Sequence, residues 1–136
     1  MIIVEKQSSV VRRIAGTALG IVAAALTIAA VEAAGHALLP GETDPANATL
    51  PMLKLVLLAW TLGMLVGGAL AALLTGWRTA PMVVAGFILA GIAINSVTIG
   101  GPLWLTLAGV AFTYVAGSFL RSRVQTAGSD TQRVAL

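Results

Sequence analysis

Charged positions divide this chain into long uncharged runs. Ile14 to Val31 carries no charge, Glu32 interrupts, and apolar residues continue to Leu39. A second run extends from Leu55 to Trp77, between Lys54 and Arg78. A third extends from Thr79 to Leu120 and closes at Arg121 and Arg123. One helix crosses about 30 Å of hydrocarbon with about 20 residues at 1.5 Å each. The third run is about twice that length, so it predicts two spans. Gly100-Gly101-Pro102 lies at its middle, where two glycines and a proline end one helix and start the next. Pro40 to Pro51 is dense in turn formers and reads as the loop after the first span.

The runs are continuously apolar, without the period-two alternation of barrel strands. A helix also satisfies every backbone N–H and C=O within one segment, which lipid requires. The expected fold is therefore all-α, a four-transmembrane-helix bundle. Residues 1–13 read as an N-terminal arm and 14–122 as the transmembrane domain, with spans at about 14–38, 53–77, 80–99 and 102–120. Residues 123–136 read as a C-terminal tail, disordered from Gln125.

Composition sharpens this. The chain is 58% hydrophobic and 10% charged, with a mean hydropathy of +0.97. Soluble domains carry about 25% charged residues. The absence of cysteine removes disulfides, thiolate metal sites and thiol catalysis. The net charge of +3 does not imply nucleic acid, because the basic residues flank apolar spans instead of forming one stripe. Lys6, Arg12, Arg13, Arg78, Arg121, Arg123 and Arg133 fall on one side. Only Lys54 falls on the other, beside Glu42 and Asp44. The positive-inside rule then puts both termini in the cytoplasm of a bacterial inner membrane. A cleaved signal peptide is the rival reading of span one, but the apolar stretch exceeds the usual h-region.

Small residues suggest how the spans pack. Gly16, Gly20, Ala23, Thr27, Ala30 and Ala34 share one face of span one. Span two holds Gly63 and Gly67 in a GxxxG, and span four holds Gly109, Thr113 and Gly117 at steps of four. Such stripes let backbones approach closely. Trp77 and Trp104 fall at span ends as interfacial anchors, while Trp60 and Tyr114 are expected to pack between helices.

The candidate polar or ion site is Glu32, His36, Lys54 and Asn95. Glu32 and His36 are four apart and meet on one helix face, nearly opposite the small-residue stripe. Lys54 and Asn95 reach a similar depth from spans two and three. An ionisable group within a span is a functional candidate by default. The structural alternative is a Glu32–Lys54 ion pair near the interface, with Asn95 bonding between helices. Two ligands at i and i+4 do not make a zinc site. No nucleophile elbow, dinucleotide fingerprint or phosphate loop is present, so no catalytic set, cofactor or metal is expected.

Two stretches carry a resemblance. Val31-Glu32-Ala33-Ala34-Gly35-His36 followed by Pro40, and Gly101-Pro102-Leu103-Trp104, resemble segments of bacterial four-span integral membrane proteins of unknown function. The resemblance implies the same order of spans and marks Glu32 and His36 as positions to test. Three functions are expected in order. The first is a non-enzymatic accessory or assembly component, acting as a homo-oligomer or with a membrane-protein partner. The second is a small oligomeric transporter or channel for a cation, proton or small solute, using the polar layer. The third is a membrane enzyme acting on lipid or quinone.

Overall fold

A computed structural model of the chain describes residues 2–39 and 48–134, with side chains described for 5–39 and 48–125. Among the described residues the protein is entirely helical: α1 (Ile2–Leu38), α2 (Leu50–Thr75), α3 (Ala80–Thr98) and α4 (Leu103–Val134). Each helix contains a stretch long and apolar enough to cross a membrane. Most of the expected loop after the first span, including Glu42 and Asp44, lies outside the described residues.

Three boundaries differ from expectation. Residues 2–13, read as an arm, form the first turns of α1, which is helical from Ile2. The tail expected to be disordered from Gln125 is the continuation of α4 to Val134. Hydropathy marks where lipid can surround a helix, whereas backbone hydrogen bonding continues through polar residues into water. At 37 residues and 1.5 Å each, α1 is about 55 Å long, well beyond the hydrocarbon thickness. Helix α2 also starts earlier, at Leu50, with Thr49 at its N-cap and Pro51 in its first turn. Proline is tolerated there because the first N–H groups have no intrahelical acceptor.

The α2–α3 connection is tight. Gly76 ends α2 in the left-handed conformation (φ 61°), and its N–H donates to the Ala72 carbonyl at 2.8 Å. The Ala80 N–H then donates to the Trp77 carbonyl at 3.0 Å, one residue before Pro81 in the first turn of α3. Between α3 and α4, Gly100 takes φ 70° and Pro102 precedes the new helix.

Helix α2 is the hub. Its contact with α1 is the most extensive in the bundle; α3 and α4 pack on each other and on α2. Helix α1 touches α3 lightly and, among the described residues, does not touch α4. The α1–α2 seam is nearly bare backbone. A Cβ at Gly20 would stand 2.6 Å from both the Gly67 carbonyl oxygen and the Ala71 Cβ, and Gly67 in turn faces Gly20 and Ala24. Gly63 faces Ile28 and the Ala24 carbonyl, and Gly16 faces Thr75 and Leu74. In the other half, Gly109 meets the Trp60 ring, and Gly117 meets Ala85 and Met82.

The face of α1 that packs is not the whole stripe read from the sequence. It follows Gly16, Gly20, Ala24, Ile28 and Gly35, while Ala30 and Ala34 are exposed. Steps of four residues turn 40° past a full rotation, so from Gly16 to Ile28 the seam rotates by about 120°. That drift carries the seam toward Glu32, which was expected nearly opposite. Tyr114, expected between helices, is 58% exposed on the outer face of α4.

The basic residues tie one end together. Arg12 Nη2 donates to the Thr75 carbonyl at 3.3 Å, one of the C-terminal carbonyls left without an intrahelical donor. The Arg13 guanidinium lies 5.8 Å from the Trp77 ring centroid. The Gln125 amide, oriented with its oxygen toward Arg78, accepts from that guanidinium at 2.6 Å. The beginning of α1, the end of α2 and this part of α4 therefore share one end of the bundle.

Candidate functional site

At the opposite end the helices part around a cavity of about 370 Å³. It lies among the last turns of α1, the first turns of α2 and the α3–α4 turn. Its polar lining is Glu32 and His36 from α1, Asn95 and Ser96 from α3, and Thr106 from α4; Trp60 of α2 lies at its inner wall. Trp60 is only 7% exposed. It lies close against α4 because Gly109 presents no side chain there: a Cβ would meet the ring at 2.6 Å.

Three of the four residues singled out from sequence, Glu32, His36 and Asn95, line this cavity. Lys54 does not; it is exposed on the first turns of α2. Among the described residues no ion pair joins Glu32 to Lys54, and neither the Glu32 carboxylate nor the Asn95 amide makes a hydrogen bond.

Counting protons gives the cavity a chemical sign. A carbonyl oxygen can only accept, so His36 Nδ1 donates to the Glu32 carbonyl at 2.8 Å. In the neutral ring this leaves Nε2 with a lone pair. Ser96 Oγ donates its one proton to the Ile92 carbonyl at 2.8 Å. The 2.8 Å bond between Ser96 Oγ and Thr106 Oγ1 must then be donated by Thr106. Both hydroxyl protons are consumed, and only lone pairs remain on these oxygens. The side chains offer a carboxylate, an imidazole nitrogen, two hydroxyl oxygens and an amide oxygen as acceptors. Their remaining donors are the Asn95 amide and the Trp60 indole N–H.

No family model, curated protein or solved structure matches this chain.

Sequence reasoning did not bring Thr106 to the site. The signal was available: Ser96 and Thr106 stand five residues on either side of Gly101. In an antiparallel helical hairpin such positions face each other. Trp60 was expected to pack between helices, but its place beside the polar layer depends on the α2–α4 contact, which periodicity does not encode.

Among the described residues no group of three or more His, Asp or Glu side chains could hold a metal ion. A second cavity, of about 250 Å³, adjoins the first and shares Glu32, Trp60 and Asn95 with it.

Proposed function

We propose that this small multi-pass membrane protein works by binding, not by catalysis, and that its pocket takes a small cation rich in hydrogen-bond donors, such as an ammonium group. The excess of acceptors among the side chains that line the cavity carries this reading. A cavity of about 370 Å³ has the size of small-molecule sites, typically about 300–1,000 Å³. Glu32 supplies the opposite charge, the Trp60 indole adds a face that attracts cations, and the acceptors accommodate several N–H bonds. A quinone, which only accepts, has few partners here, so the enzyme reading is the weakest. By the positive-inside rule the basic end faces the cytoplasm of a bacterial inner membrane and the pocket faces the periplasm.

The test uses Trp60 as reporter. With Trp77→Phe and Trp104→Phe in lipid nanodiscs, propylammonium is expected to change Trp60 fluorescence saturably, whereas propanol does not. Glu32→Gln is expected to weaken that response at least about tenfold, as loss of a charge-assisted hydrogen bond implies. An equal response to propanol, or an unchanged response in Glu32→Gln, would refute the reading.

One observation favours a second reading, that of an oligomeric or accessory component. Only 22% of the apolar stretch of α1 is buried, against 39% for α2, and Val22 and Leu26 lie on its outer surface. A second copy or a partner helix would cover that face, and native mass spectrometry of the gently extracted protein distinguishes this from a monomer covered by lipid.

A further inference from the structure

The second cavity lies deeper than the first and opens sideways. Its mouth is formed by Ala25 and Ala29 of α1 and Phe87 and Gly91 of α3, all exposed on the outer surface of the bundle. Its floor is Ile88, Ile92 and the Trp60 ring. It follows from the light contact between α1 and α3: small side chains at 25, 29 and 91 leave the seam unfilled. Apart from Glu32 and Asn95 at its upper end, its lining is apolar.

Position decides what enters such a cleft. Ala25 and Ala29 belong to the uncharged run Ile14–Val31, so the mouth faces acyl chains. An ion dissolved in water does not reach such a mouth, whereas an apolar chain already in the bilayer lies beside it. From Ala24 to Glu32 the cleft extends over eight residues, or about 12 Å of helix at 1.5 Å each. Polar and apolar compartments meet at Glu32, Trp60 and Asn95, which border both.

We infer that the ligand is a single-chain cationic amphiphile that enters from the lipid through the α1–α3 cleft. Its amine seats on Glu32 in the acceptor-lined pocket, and the first part of its chain occupies the cleft. Charge complementarity selects the head, and the apolar walls, continuous with the bilayer, select the chain. The inference rests on the pocket reading above and adds the class of ligand and its route.

The same Trp60 reporter separates the two ideas. Dodecylamine brominated at mid-chain is titrated into phosphatidylcholine nanodiscs holding the Trp77→Phe, Trp104→Phe protein. The comparison is dodecanol brominated at the same carbon. The amine is expected to reach half-maximal quenching at a membrane mole fraction at least tenfold lower than the alcohol. Comparison at equal mole fraction cancels bulk partitioning. Gly91→Leu fills the cleft from a position where an added Cβ meets nothing within 4 Å. It is expected to raise the amine's midpoint to that of the alcohol, while propylammonium still binds; Ala29→Leu plugs the facing wall as a second variant. If propylammonium binds but the brominated amine quenches no better than the alcohol, the lateral route is overturned and the pocket reading stands. Quenching that persists unchanged in both plugged variants overturns the route as well. If neither amine acts on the unplugged protein, the pocket reading itself falls, and this inference with it.

Discussion

Replacing Gly20 with alanine tests the α1–α2 seam most directly. The new methyl carbon would stand 2.6 Å from the Gly67 carbonyl oxygen and 2.6 Å from the Ala71 Cβ. Comfortable carbon contacts lie at about 3.5–4.0 Å, so the helices must part by about 1 Å. Neither obstacle is a mobile side-chain end; one is backbone and the other a Cβ. A gap of that size forfeits about a quarter to a half of each dispersion contact along the seam, and overpacking of this kind costs about 1–3 kcal/mol. Alanine's better helix propensity returns up to about 1 kcal/mol. The net expectation is a loss of about 1–2 kcal/mol. Gly86→Ala is the control: nothing lies within 4 Å of its added Cβ, so only the propensity gain of up to about 1 kcal/mol remains. Reversible unfolding of both variants in one detergent gives the difference. If Gly20→Ala is as stable as Gly86→Ala, the close approach of α1 and α2 is wrong.

Two further substitutions have signs fixed by hydrogen bonding. Thr113 is fully buried and its hydroxyl has no partner. Thr113→Val keeps the shape and removes the orphaned group, so it is expected to stabilise the protein by about 1–2 kcal/mol in the same unfolding assay. Ser96→Ala removes the bond that joins α3 to α4 and is expected to cost about 1 kcal/mol. A double-mutant cycle with Thr106→Val should show that the two losses are not additive.

Much of the architecture was legible because lipid enforces simple rules. Uncharged runs bounded by Lys54, Arg78 and Arg121 mark helices, and Gly100-Gly101-Pro102 marks a break without reference to tertiary structure. What was not legible depends on one helix meeting another. The seam on α1 passes Gly16 and Gly20 and then leaves the stripe of small residues, because its direction depends on the crossing with α2. Glu32 consequently read as facing away from the packing when it borders the cavity. Lys54 read as a partner for Glu32 because both lie near one depth; depth follows from sequence position, whereas azimuth requires the packed bundle. The helical turns that continue through polar sequence at the start of α1 and in the last part of α4 leave no trace in hydropathy at all.

The position of α2 also bears on how the chain can be assembled during synthesis. Helix α1 finds its main partner in the next helix made. Helix α3 meets α2 already in place, and α4 then joins both. Because α1 and α4 do not touch among the described residues, no final step must bring the first and last helices together to close a ring. The bundle can grow outward from one centre in the order in which its helices emerge, and α1 does not have to wait for α4 to find its seat.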